Sequence, residues 1–347
     1  MRSHRRGFVS APRSLPWRLI GLVLALGTAW YSIARRAEHS LVIYCTHDLV
    51  YAEPVLEEFT RSTGIRVTLV GDTEATKSLG LTERLLREGD QTPCDLFWNN
   101  EVLGTIRLQQ QGLLSSYRGT NTERIPVQFR DPNGQWYGFG GRLRVWICAA
   151  DDSRRTPFDS LISEAPDLRR VAVAKPLFGT TFTQFAVLWK QQGATATQAF
   201  HQSLVTRECR IVAGNAMVRD MVAGGGCDYG MTDTDDVFAA LDAGYNVTME
   251  PIRIAGRTIC IPNTVALLES TDRPEEARQL LEYLLSEEVE LQLARTARQI
   301  PLGTVDRKKI PAEVQPLAEW ARESWNVADA AAVAGDCLEW LKAEYTR

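Results

Sequence analysis

From residue 41 onward the chain alternates short apolar runs with amphipathic stretches. "LVIYC" (41–45) is a continuous apolar run of strand length. "YAEPVLEEFTRSTG" (51–64) repeats apolar residues at helical spacing and ends on Gly64, which suits a helix C-terminus. "IRVTLVG" reads as a second strand, "SLGLTERLLREG" as a second helix, "CDLFW" as a third strand and "EVLGTIRLQQQG" as a third helix. This β-α-β-α-β-α order predicts a parallel sheet with helices on both faces. After a Gly-rich turn, "RLRVWICAA" (142–150) reads as a long central strand. "VAVA", "RIVAG" and "YGMT" are strands with helices between them, and "TICIPNTVALLES" (258–270) is another long apolar strand. Two long strands bracketing a middle segment predict a chain that leaves one lobe, builds a second and returns. The expected lobes are 41–142 with 262–300, and 143–261 with 301–347. The tail is helical in "RPEEARQLLEYLLSEEVELQLA", "VQPLAEWARES" and "AGDCLEWLKAEY".

The first 40 residues break this pattern. "MRSHRRGFVSAPRSLPWR" is basic with no acidic residue, and "LIGLVLALGTAWYSIA" (19–34) is uncharged and mostly apolar, followed by Arg35 and Arg36. This reads as a cytoplasmic basic tail plus an export signal or signal anchor, with Trp17, Trp30 and Tyr31 at the interfaces and the body facing outward. A soluble buried helix is the alternative. The rest has an ordinary globular composition, 44% hydrophobic and 24% charged over 347 residues, enough for two core-bearing lobes. The net charge of −4 indicates no basic face for nucleic acid. None of the seven cysteines forms C-x-x-C, so a zinc ribbon or thioredoxin motif is unsupported. They read as small buried hydrophobes, or in an exported protein as one or two disulfides of unassigned pairing.

In open parallel sheets ligands bind beyond the carboxyl ends of the strands. Three such ends carry unusual chemistry: Thr46-His47-Asp48, Asn99-Asn100-Glu101, and Thr232-Asp233-Thr234-Asp235-Asp236. The first two fall in one lobe and the third in the other, so they can face each other across a cleft. Singly, each has a plain reading. His47 is then a satisfied structural histidine, Glu101 a first-turn residue favoured by the helix dipole, and the aspartates N-cap chemistry. Capping accounts poorly for the adjacent pair Asp235-Asp236. Two carboxylates about 4 Å apart repel by roughly 1 kcal/mol in water and about 4 near a protein surface. A bound cation offsets that repulsion; otherwise one carboxylate keeps its proton. An EF-hand is excluded: counting from Asp233, position six is Phe238 rather than Gly and position twelve is Gly244 rather than Glu.

Two further segments bear on a cleft. "KPLFGTTFTQF" places Gly179, Thr180 and Thr181 at a helix start, where free N–H groups either hold an anion or are simply capped. "GDTEATKSLG" carries Asp72, Glu74, Thr76 and Lys77 after the second strand, lining the cleft or forming a solvated loop.

In the order and spacing of "LVIYCTHD", "VLEEFTRSTGIRV", "TERLLREG", "CDLFWNNEV", "YGFGGRLRVWI", "KPLFGTTFTQF", "NAMVRDMVAGG" and "YGMTDTDD", the chain resembles the solute-binding proteins of bacterial ABC transporters, specifically the ferric-ion-binding group, over about residues 41–300. The resemblance implies an α/β, two-lobed type II periplasmic-binding-protein fold with two crossing hinge strands. It implies metal ligation by His47 and Glu101 from the first lobe. The family's adjacent tyrosine pair in the second lobe aligns with Asp235 and Asp236. Carboxylates are hard oxygen donors that suit Mn²⁺, Mg²⁺ or Ca²⁺ and, with His, ferrous iron. The family's anion-contacting positions fall near Gly179, Thr180, Asn215 and Asp233, where an aspartate would repel an anion. Arg142 and Arg144 lie on the crossing strand, with Arg142 expected to face the cleft and pair with the acidic cluster.

The expectation is therefore a non-enzymatic, periplasmic or extracytoplasmic binding protein, anchored through residues 19–34 or released. It is expected to be monomeric, to close on a metal ion (iron, manganese or another divalent cation) and to present it to an inner-membrane ABC permease. An organic cation such as thiamine or a polyamine is the alternative, stacked on Phe97, Trp98 or Phe182. A metal-dependent hydrolase is the reading from another class, without a G-x-S-x-G motif to support it. An anchored sensor is a further one.

Overall fold

The computed structural model describes residues 40–72, 79–150, 162 and 164–346. The expected anchor at 19–34 lies outside them, as do Glu74, Thr76 and Lys77. Among the described residues no helix is long and apolar enough to cross a membrane.

The predicted alternation forms at the start of the body. β1 (Leu41–Cys45), α1 (Leu49–Thr63), β2 (Val67–Gly71), α2 (Leu79–Glu88), β3 (Leu96–Asn99) and α3 (Val102–Gln110) follow in order, with β1 parallel to both β2 and β3. α1 buries Ala52, Val55, Leu56 and Phe59. It stops where Gly64 takes a left-handed φ of 77° and returns its N–H to the Thr60 carbonyl. After the short β4 (Leu114–Ser115) comes β5 (Tyr137–Ala149), a buried strand of 13 residues.

β5 starts earlier than the sequence suggests, because "YGFGG" is strand and not turn. Its glycines are there for close approach. A Cβ on Gly138 would meet the Phe129 carbonyl at 2.8 Å, and one on Gly141 would meet Leu302 at 2.8 Å.

The middle segment runs β6 (Val171–Ala174), α4 (Gly179–Gln192), α5 (Ala194–Thr206), β7 (Arg210–Val212), α6 (Asn215–Ala223), β8 (Tyr229–Asp233) and α7 (Thr234–Asp242). β9 (Val247–Pro251) and the hairpin β10 (Arg253–Ile254) with β11 (Arg257–Thr258), none of them read from the sequence, lead to β12 (Cys260–Leu268). The apolar pattern at 273–294 is two helices, α8 (Pro274–Leu284) and α9 (Glu287–Thr296), because Ser286 caps the second by accepting from the Val289 N–H. α10 (Gln315–Arg322) and α11 (Ala331–Tyr345) close the chain, α11 packing on α4 with Trp340 against Trp189.

The strand order is β2-β1-β3-β12-β5-β8-β6-β7, with β4 on β12 and β9 on β5. β5 belongs to both halves. Tyr137–Leu143 pairs with β12, and Arg144–Cys148 pairs with β8. A register shift in β12 between Pro262 and Asn263 lies opposite the first half. The result is two α/β lobes joined through the crossing strands β5 and β12, the type II periplasmic-binding-protein architecture. All seven cysteines are buried and no disulfide joins them.

Gly230 in β8 fixes how closely α6 lies on the sheet. A methyl there would overlap Val218 and crowd Val222 at 3.2 Å and Ile147 at 3.3 Å. Gly230→Ala is expected to cost about 1–3 kcal/mol, read as a lower urea midpoint, and to displace Asn215 at the head of α6.

Candidate functional site

β6, β7 and β8 run parallel, so their carboxyl ends open on one edge, where the helices that follow begin. α4 starts at Gly179, α6 at Asn215 and α7 at Thr234. On the other lobe β1 delivers Thr46, His47 and Asp48, and β3 delivers Asn99, Asn100 and Glu101.

The aspartates divide in role. Asp233 is the N-cap of α7, and Asp236, three residues on, completes a capping box. Asp236 accepts from Thr232 Oγ1 at 2.6 Å and from the Asp233 N–H at 3.4 Å. Capping thus accounts for two of the three aspartates, Asp233 and one member of the adjacent pair, and leaves Asp235 unexplained. Asp235 has no part in the box. It is 30% exposed and lies 3.9 Å from the buried guanidinium of Arg142, the pairing expected from the sequence. Arg142 also donates to Asn263 Oδ1 at 2.8 Å, which ties Asp235 to the crossing strand β12.

Burial raises the Asp235 pKa most; Arg142 pulls it down, and Asp233 and Asp48 push it up. Asp236 is held up at about 7 by burial, then by Asp235 and Asp233. Among the described residues these three carboxylates form the one group of three or more His, Cys, Asp or Glu side chains with ligand atoms within 4.8 Å of one another.

His47 and Glu101 are outside that group. His47 is buried, its ring 5.9 Å from Tyr51 and 5.5 Å from Trp98, with Nε2 at 3.2 Å from the Gln299 amide. Glu101 caps α3, accepting from the Leu103 and Gly104 N–H groups, both at 2.6 Å, and from Asn99. Burial still raises its pKa. Glu101 and Gly179 line a cavity of ≈ 300 Å³ between the two lobes, with Leu103, Ile106, Phe182 and Leu338. Of the three aromatics proposed for stacking, Phe97 and Trp98 are fully buried, whereas Phe182 lines this cavity.

Three residues were given no role of their own in the sequence reading. Asp48, there only a member of its strand-end cluster, raises the Asp235 pKa. The Tyr51 phenol pKa is raised by burial, then by Asp48, Asp235 and Asp242, and its ring stacks on His47 at 5.9 Å. Its position on the first turns of α1, one turn after His47, was the available signal. The third is Arg144. Fully buried in β5, it stands opposite Asp233 in register and donates from Nη1 to Asp233 Oδ1 at 2.7 Å. Thr180 Oγ1 and Asn215 Nδ2 donate to the other oxygen, and Thr181 Oγ1 to Asn215 Oδ1 at 3.1 Å. Thr180 and Asn215 thus bind Asp233 directly, and Thr181 holds Asn215.

Comparison with known proteins gives the same architecture. The family model "Bacterial extracellular solute-binding protein" matches residues 41–295. The Fe(3+)-binding periplasmic protein of Serratia marcescens is 25% identical over 214 residues, 60% of each chain. The iron uptake protein A2 of Synechocystis sp. is 32% identical over 155 residues, 42% of this chain and 43% of that one. The chain therefore spans about half the length of these two relatives. The crystal structure of iron-bound HitA from Pseudomonas aeruginosa superposes with a TM-score of 0.77 at 20% identity, over 87% of this chain and 99% of that one. The family match enters at β1 and runs through both crossing strands into α9, so this chain belongs to the bacterial extracellular solute-binding proteins, which bind a cargo and do not transform it.

Proposed function

We propose that this protein is the extracytoplasmic binding component of an ABC importer and that its cargo is a metal cation, iron first among the candidates and manganese second. The relatives' names support iron. The observation that carries a cation is the acidic edge of the second lobe, where Asp233, partly exposed Asp235 and Asp236 bring their carboxylate oxygens within 4.8 Å of one another. Burial and the neighbouring carboxylates raise the pKa of both Asp235 and Asp236, and a bound cation would offset the repulsion between them.

The proposed ligands are His47 and Glu101 from the first lobe with Asp235 and Asp236 from the second. Asp235 is the least committed of the four. Glu101 and Asp236 would each give up capping bonds, and His47 its contact with Gln299. Imidazole with hard carboxylates suits a ferrous or manganous ion, and Tyr51 adds a phenol for a harder one. Closure would swing the lobes about β5 and β12. The change of pairing partner between Leu143 and Arg144 falls one residue from the proposed lobe boundary at 142/143 and supports a division there. The basic and apolar N-terminus supports export to the periplasm, with residues 19–34 as signal or anchor, and an inner-membrane permease as partner to a monomer.

A second reading, an organic ammonium ion, is favoured by the ≈ 300 Å³ cavity that Glu101 and Phe182 both line. Calorimetric titration with Fe²⁺, Fe³⁺, Mn²⁺, Ca²⁺, thiamine and spermidine separates the two. The metal reading expects saturable binding of iron or manganese, and heat from the amines alone overturns it. Binding should also depend on pH. Asp236 sits at about 7, above the unfolded value of about 3.9, so the folded apo protein favours its protonated form. That contribution to apo stability is present below about pH 4 and is lost as pH rises through 7. A cation displacing this proton should bind up to about tenfold tighter per pH unit between about 5 and 7, then level off. A flat profile would show that Asp236 releases no proton on binding.

A further inference from the structure

The surroundings of Asp233 are those of a bound anion. Three helices, α4, α6 and α7, begin around it, and their N-terminal N–H groups carry partial positive charge. Arg144, with no exposed surface, reaches it from the opposite strand. Arg144 Nε is held by Gln184 Oε1 at 2.8 Å, which aims the guanidinium. Nη1 also lies 3.3 Å from Thr180 Oγ1 and 3.3 Å from Asn215 Oδ1. Nη2 is buried with no hydrogen-bond partner, a donor left over in a site built from donors. Asp233 itself is 3% exposed. Both its oxygens are committed, Oδ1 to Arg144 and Oδ2 to Thr180 and Asn215. A carboxylate so engaged has little left for a cation, although its oxygens lie within reach of Asp235 and Asp236.

We propose that Asp233 is a built-in anion: its carboxylate fills an oxyanion site made by Arg144, Thr180, Asn215 and the heads of α4 and α6, so the cleft takes its cargo without a co-bound anion. Arg144 and Asp233 neutralise each other, and an added anion would meet a site already filled by negative charge. Removal of the carboxylate leaves a buried guanidinium, at least two hydroxyl or amide donors, and a gap the size of formate or acetate. Asp233 is accordingly a positioning residue for α7, which carries Asp235. The inference goes beyond the cargo reading, and its first test uses apo protein, so either can fail alone.

In that test, Asp233→Ala is expected to lower Tm by about 6–10 °C relative to wild type. Acetate or formate at about 100 mM should return roughly 3 °C of this loss if its Kd is about 10 mM, while the same concentration of chloride returns less and wild type responds to neither more than to chloride. Asp233→Asn, neutral but filling the gap, should be destabilised and not rescued. Recovery of folded Asp233→Ala only from buffers containing acetate or formate would also support the site. Equal responses of Asp233→Ala and wild type to acetate overturn it, as does an Asp233→Asn variant as stable as wild type. In the second test, cation affinity of the wild type should change less than about twofold when inorganic phosphate or bicarbonate is added at concentrations too low to complex the metal. A tenfold dependence on either overturns the claim that no co-anion is needed.

Discussion

Asp235→Ala is expected to remove cation binding while leaving the apo fold close to wild type. The side chain is partly exposed, takes no part in the capping box of α7, and meets Arg142 only at 3.9 Å. An ion pair so long and partly solvated contributes little to stability. Its loss from a binding site is another matter. Even the outer partners of metal ligands cost 10–100-fold in affinity, so a direct carboxylate ligand is expected to exceed about 100-fold, about 2.7 kcal/mol. Thermal shift with and without the cation, followed by calorimetry, gives the result. Asp236→Ala serves as the contrast. It breaks the capping box and the bond from Thr232, so it should lower apo stability by about 1 kcal/mol, and its effect on affinity should be the smaller of the two. Wild-type affinity in Asp235→Ala would remove the second lobe's principal ligand, and with it the case for a site between the lobes.

The contrast between these neighbours shows what a sequence carries and what it withholds. The alternation of β1 through α3 was legible because each strand is an apolar run and each helix has one apolar face. The carboxyl-end clusters were legible because parallel strands put their exits on one edge. The roles of Asp233, Asp235 and Asp236 were not. A three-residue offset is the spacing of a capping box, yet letters alone leave open which carboxylate turns back to the helix and which faces out. Arg144 was hidden for a related reason. On a strand, alternate side chains point to opposite faces, and Arg142 and Arg144 share a face, so nothing local separates them. Their difference comes from partners far along the chain: Asn263 and Asp235 for one, Gln184 and Asp233 for the other. Gly138 and Gly141 misled in the opposite direction. Glycine is scarce in strands, and here it marks where Phe129 and Leu302 press against β5.

Arg144→Ala is expected to produce the largest loss of stability of any substitution in the cleft. Removing one member of a fully buried ion pair typically costs 3–5 kcal/mol, because the remaining charge is left without compensation. Against a total of about 5–15 kcal/mol, that is a large fraction. Here the orphaned group would be Asp233, which would keep only Thr180 and Asn215 as side-chain donors. Urea unfolding of the apo protein measures the loss. Arg144→Lys keeps the charge but cannot hold Gln184 and Asp233 at once with a planar fork, so it should fall between wild type and alanine. The double substitution Arg144→Met with Asp233→Leu removes both charges and should lose less than Arg144→Ala alone, and a cycle through the two single variants isolates the coupling. A loss below about 1 kcal/mol in Arg144→Ala would mean that water reaches Asp233 and that the pair is not the anchor of this lobe. Cation binding should weaken in Arg144→Ala although the guanidinium touches no proposed ligand, since β8, α4, α6 and α7 all take their positions from it. Asp235→Ala therefore should affect binding without folding, and Arg144→Ala should affect both. That difference separates a residue that holds the cargo from one that holds the wall on which the cargo's ligand stands.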